Sequence, residues 1–157
     1  MQEANIPMVE TQMLIRKPVA IVFEAFIDPA ITTQFWFTKS NGKLETGKTV
    51  LWEWEMYGVS TQVLVKQVVQ NKLVSIEWGD PATTVDFEFT DLSSNSTYVV
   101  IKNYGFRETG DKLLQVIKDS TGGFTTVLDG LKAWLEFNIN LNLIADKFPG
   151  ELSKHGK

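Results

Sequence analysis

Val85-Asp-Phe-Glu-Phe89 and Thr97-Tyr-Val-Val-Ile-Lys-Asn103 decide the fold. In the first stretch Val85, Phe87 and Phe89 alternate with Asp86 and Glu88; in the second Thr97, Val99, Ile101 and Asn103 share one face. Alternation of period two sends apolar side chains to one face of a strand, and the polar stretch Asp91 to Ser96 reads as the hairpin loop between the two. The pattern extends upstream. Val74, Ile76 and Trp78 alternate with Ser75 and Glu77, and Val63 and Val65 point inward from the strand Thr61 to Val68. In Val50 to Met56, Val50, Trp52, Trp54 and Met56 share one face while Glu53 and Glu55 share the other. Tyr57-Gly58, Asn71-Lys72 and Gly79-Asp80-Pro81 supply turns, and consecutive strands joined by short turns form an antiparallel meander. Val9 to Ile15 adds a strand near the start.

Helical spacing appears on either side of this block. Pro18 suits a first helical turn, Val19, Val22, Phe23 and Phe26 form a stripe, and Asp28-Pro29 stops it because the residue before proline avoids the α region. Ile31 to Trp36 reads as a second, shorter helical piece. Lys112 to Lys118 is helical, with Gly122-Gly123 as an interruption or a fresh start. From Phe124 the closing helix carries Phe124, Leu128, Leu131 and Leu135 on one stripe and continues to about Phe148, where Pro149-Gly150 ends it. The expected fold is α+β: a curved antiparallel sheet gripping a long C-terminal helix, with two short helices near the N-terminus. One domain spans residues 1–157, with its core over about 9–148. A curved sheet and a straight helix do not match everywhere, so a cavity is expected between them, suited to a small apolar ligand.

Composition narrows the chemistry. The chain has 157 residues, of which 43% are hydrophobic and 22% charged, the balance of an ordinary globular protein. A net charge of −4 argues against nucleic acid, which needs a basic face. There is no cysteine, and the single histidine, His155, lies in a polar tail. Disulfides, thiolate nucleophiles, serine triads and clustered metal-ligating histidines therefore cannot be built in the folded body. No catalytic residue, metal or cofactor is expected. No apolar run approaches the ~20 residues of a membrane span, and no signal peptide opens the chain, so a cytoplasmic protein is expected.

The candidate ligand-binding residues are Trp36, Phe37, Trp52, Trp54, Trp78, Phe87, Asn103, Phe124 and Leu128. The aromatic residues serve either as core or as cavity wall. Asn103 faces inward by alternation, and a buried amide must find partners; it binds either a ligand carbonyl or a neighbouring strand. Arg107 follows at the rim, where it either recognises an acidic ligand group or, the simpler reading, sits on the surface. Glu53 and Glu55 lie on the solvated face, and Gly122-Gly123 has no phosphate-binding motif around it.

Five blocks in order resemble a known superfamily. They are Val22-Phe23-Glu24-Ala25-Phe26 with Asp28-Pro29 and Phe35-Trp36; Gly42 to Gly47 before a Trp-rich strand; Leu73 to Trp78; Val85 to Phe89 followed by Thr97 to Phe106; and Gly123-Phe124 with Leu128, Leu131-Lys132 and Leu135-Glu136. Together they resemble the START-like, helix-grip (SRPBCC) superfamily, in the branch of homologues of the activator of the heat-shock-protein ATPase. The resemblance implies a groove for hydrophobic molecules such as lipids, sterols or polyketides. It also implies two alternatives, a polyketide cyclase or dehydratase and a chaperone cofactor or other interaction module, with a homodimer among the possible assemblies. Relatives often place tryptophan where Phe124 stands, and histidine or glutamate where Asn103 precedes Gly105-Phe106, which counts against acid–base catalysis from that position.

Overall fold

The computed structural model describes residues 6–150; His155 lies outside them. The chain runs β1 (Met8–Ile15), α1 (Val19–Ile27), α2 (Pro29–Thr32), β2 (Lys39–Ser40), β3 (Thr49–Trp54), a 3-10 turn (Glu55–Tyr57), β4 (Val59–Val69), β5 (Leu73–Trp78), β6 (Thr83–Ser93), β7 (Ser96–Tyr104), α3 (Gly110–Phe137) and α4 (Leu143–Lys147). Seven strands form one sheet in the order β1-β7-β6-β5-β4-β3-β2, antiparallel at every pairing. This is the expected helix-grip: a curved antiparallel sheet around a long C-terminal helix, with two short helices between β1 and β2.

The sheet follows the alternation of its strands. Val85, Phe87 and Phe89 are buried, as are Val99, Ile101 and Asn103 on the neighbouring strand. Register pairs Val85 with Asn103 and Phe87 with Ile101, so like faces meet. The first strand closes the sheet against the last, Val9 opposite Asn103 and Thr11 opposite Ile101. The hairpin is tighter than Asp91 to Ser96, because β6 continues to Ser93 and pairs Ser93 with Ser96.

On the outer face Asp86 gathers two donors, Ser75 Oγ at 2.6 Å and the Tyr104 hydroxyl at 2.7 Å. Burial, this bond and the charges of Asp86 and Glu88 push the Tyr104 phenol up to about 12.

The N-terminal helices fill one end of the concave face. Asp28 ends α1 and caps α2, its carboxylate accepting from Ala30 N at 3.0 Å. Phe26 touches Phe87 and Phe89 at 5.1 and 5.7 Å between ring centroids.

Three expectations are corrected. First, Gly122-Gly123 does not break the helix, because α3 runs uninterrupted from Gly110 to Phe137. Phe124, Val127, Leu128 and Leu131 after the pair pack into the core, with Ile117 before it partly buried against the same core, and this packing outweighs the poor propensity of the pair. Second, the helix does not reach Phe148. Asn138 adopts a left-handed conformation (φ 58°) and donates its N–H to Trp134 O at 2.9 Å, which ends α3. A second left-handed residue, Asn142 (φ 56°), precedes the short α4. Third, β3 stops at Trp54, so Met56 sits in the 3-10 turn and not on the strand face.

The far end of α3 is clamped to β1. Glu136 Oε2 accepts from Arg16 N at 2.7 Å and from Lys132 Nζ at 2.7 Å, and Lys132 Nζ also donates to Leu14 O at 2.9 Å. Burial alone would raise the Glu136 carboxyl, but these donors outweigh it and hold the group below its usual range.

A candidate ligand cavity between sheet and helix

An open cavity of about 850 Å³ lies between the β3–β5 end of the sheet, the first half of α3 and the strap of residues 138–148 that follows α3 and includes α4. Strand pairing assembles its sheet wall: Trp54 lies opposite Val59, Trp52 opposite Thr61 and Val63 opposite Trp78. Val59 and Thr61 share parity with the buried Val63 and Val65, so the inward face of β4 becomes cavity wall where it leaves the core. From α3 come Lys118, Asp119, Ser120, Gly122, Gly123, Phe124 and Val127; from α4 and beyond come Ile144, Lys147 and Phe148. Val59 and Phe148 are exposed, which makes this end an open mouth. A volume of this size lies within the ~300–1,000 Å³ of ordinary ligand pockets.

A crevice of about 70 Å³ lies on the other side of Trp36, beneath Asn140 to Ala145. At ~30 Å³ per water it holds only a few waters, and Trp36, which lines both spaces, is the partition.

Of the residues expected around the cavity, Trp36, Trp54, Trp78 and Phe124 line it. They form one aromatic cluster, with Trp36 centroids 6.4 Å from Trp54, 5.9 Å from Trp78 and 6.0 Å from Phe124. Trp78 and Phe124 face each other across the sheet–helix gap at 5.8 Å. Among the described residues the indole N–H groups of Trp36, Trp54 and Trp78 have no protein acceptor, and none is sealed from open space.

Phe37, Trp52, Phe87 and Leu128 do not line the cavity. Phe37 stacks on Trp52 at 4.4 Å and 19°, and Trp36 covers Trp52 and Phe87 at 4.9 and 5.8 Å. All four are almost fully buried, forming the packed layer on which the wall rests.

Asn103 is also one step behind the wall. Its Nδ2 donates to Thr83 Oγ1 at 3.0 Å and Thr84 O at 2.9 Å, while its Oδ1 accepts from Ser120 Oγ at 2.9 Å. Both ends of the amide are therefore committed inside the protein. It ties β6 to α3 and fixes Ser120, which does reach the cavity.

The charged groups of the lining are Lys118, Asp119 and Lys147. Asp119 accepts from Gln115 Nε2 at 2.9 Å. No group of three or more His, Cys, Asp or Glu able to hold a metal is found among the described residues. Nor is any helix among them long and apolar enough to cross a membrane.

Sequence reasoning missed Tyr57, Thr61, Lys118, Ser120, Lys147 and Phe148. The strap residues carried no signal once the closing helix was read as continuing to Phe148.

A long helix cradled by an antiparallel sheet with an aromatic cavity between them defines a helix-grip protein. The sequence profile described as Activator of Hsp90 ATPase homolog 1-like protein matches residues 16–136, and the chain belongs to that family. Solved structures agree in fold. Protein SSP2350 from Staphylococcus saprophyticus superposes with a TM-score of 0.76 at 26% identity, over 85% of this chain and 95% of that one. The Aha1 dimer from Colwellia psychrerythraea gives 0.71 at 17% identity, over 83% and 96%. DynU16, of the dynemicin biosynthetic locus, gives 0.74 at 18% identity, over 85% of this chain and 49% of that one. No curated protein matches the sequence.

Proposed function

We propose that this protein binds a hydrophobic small molecule with an aromatic or polycyclic body, without transforming it, as a single cytoplasmic domain. The observation that carries the reading is the 850 Å³ cavity bordered by Trp36, Trp54, Trp78 and Phe124. Closely spaced rings with unspent N–H donors favour a flat apolar ligand bearing an acceptor. Phe37, Trp52, Phe87 and Leu128 act as the support that keeps these rings in place, and Asn103 positions Ser120.

A cyclase or dehydratase has less support. The carboxylate in the lining, Asp119, is exposed and engaged by Gln115, whereas acid–base work calls for a carboxyl raised by an apolar setting. A second reading, an interaction module such as a chaperone cofactor or a homodimer, draws on exposed apolar side chains at and just beyond the end of α3. Phe137, Ile139 and Leu141 are 66%, 49% and 50% exposed.

Titration with 1-aminoanthracene, a neutral aromatic probe, tests the leading reading. Saturable enhancement of probe emission with quenching of tryptophan emission is the expected result. A flat response, together with a chaperone-bound or dimeric form in solution, overturns it in favour of the second reading.

A further inference from the structure

We infer that the ligand of this cavity is an acid: an aromatic body with one anionic group, held at the mouth by Lys118 and Lys147. The inference rests on the proposed cavity-binding function and specifies the ligand's charge.

The chain as a whole is acidic, with a net charge of −4, yet the cavity lining carries two ammonium groups against one carboxylate. Among the described residues Lys43, Lys66, Lys102 and Lys132 form ion pairs, while Lys17, Lys39, Lys48, Lys72 and Lys112 do not, so what sets Lys118 and Lys147 apart is their place in the cavity lining. Among the described residues neither Lys118 nor Lys147 has a carboxylate within 4 Å, and the Asp119 carboxylate is turned to Gln115. Among the described residues the two lysines thus bring positive charge without a paired carboxylate to the edge of an apolar pocket, the Lys147 ammonium lying 5.8 Å from the Phe148 ring centroid.

Their placement is tied to Gly122. A Cβ built on Gly122 would meet one side-chain atom, Lys147 Nζ at 3.7 Å, and one built on Gly123 would meet nothing. Lys147 therefore reaches back from the strap and lays its ammonium over the bare stretch of α3. Lys118 precedes Gly122 by four residues, one turn along the same helix face, at about 5–6 Å between such positions. Neither glycine has a positive φ, so no backbone conformation demands them, and each costs the helix roughly 1 kcal/mol relative to alanine. What they leave is open space beside the Lys147 ammonium, in a lining that Lys118, Trp54 and Trp78 share.

1-Pyrenebutyric acid and its neutral counterpart 1-pyrenebutyramide, titrated at low and moderate salt, test the inference. The acid is expected to bind more tightly than the amide by roughly fivefold, the scale of one or two partly exposed charge pairs, and to lose that margin as salt rises. Lys118→Gln with Lys147→Gln brings acid and amide binding together; Asp119→Asn widens the preference for the acid. Equal binding of acid and amide, or a preference that survives the double substitution, overturns the inference while leaving the cavity-binding reading intact. Binding of neither compound overturns both.

Discussion

The hydroxyl of Tyr57, in the turn after β3, donates to the backbone carbonyl of Ile144 in α4, with Ala145 O at 3.4 Å. The bond spans the cavity end, joining the sheet side of the mouth to the strap. The Tyr57 ring also meets Phe148 at 6.3 Å. Tyr57→Phe keeps the ring and removes the bond. It is expected to lower stability by about 0.5–1.5 kcal/mol and to speed hydrogen exchange at the amides of Leu143 to Lys147. Unchanged exchange there would mean that other contacts hold the strap.

Gly123→Ala separates stability from binding. The residue is in mid-helix with nothing near its Cβ position, so alanine should stabilise α3 by about 0.5–1 kcal/mol, a rise of roughly 2–4 °C per kcal/mol for a domain of this size. The added methyl enters the cavity and should weaken 1-aminoanthracene binding. Calorimetry and fluorescence on one preparation read both effects. A variant that is more stable and binds equally well would show that the bare helix surface has no part in the site.

The strand alternation was legible because one face of each strand is buried and the other wet, so a single register satisfies all of them. The end of α1 was legible at Asp28-Pro29. The extent of α3 was not. Glycine propensity is a local quantity, and here the packing of Phe124, Val127, Leu128 and Leu131 after Gly122-Gly123, with Ile117 before it, overrides it. At the other end, Ile139, Leu141 and Ile144 prolong an apolar pattern that the left-handed Asn138 cuts. The division between wall and core was hidden for a related reason. Trp52 and Trp54 have the same parity on β3, yet Phe37 stacks on Trp52 while Trp54 reaches open space.

Asn103→Leu distinguishes the two roles open to an inward amide. The side chain makes three hydrogen bonds within the protein, and leucine would strand Thr83 Oγ1, Thr84 O and Ser120 Oγ. A loss of about 2 kcal/mol or more in urea unfolding without ligand is expected. Unaltered stability with weakened probe binding would assign the amide to the ligand instead.

Glu136 makes stability depend on pH. Its carboxyl titrates lower in the folded protein than in the unfolded chain, so its contribution is present above the unfolded value and is lost as pH falls through the folded one. Its side chain is 9% exposed, and its two bonds are charge-assisted. Glu136→Gln should cost about 1–2 kcal/mol at pH 7, with the difference from the parent shrinking in acid. A difference that is constant with pH would mean that the carboxylate charge contributes nothing.

Native mass spectrometry of the protein purified from its own cells, beside a Gly123→Phe variant whose ring intrudes on the cavity from α3, reads a bound ligand directly. A second species is expected in the parent, heavier by the mass of one small molecule, and depleted in the variant. The bare chain mass alone in both would contradict the proposed cavity binding.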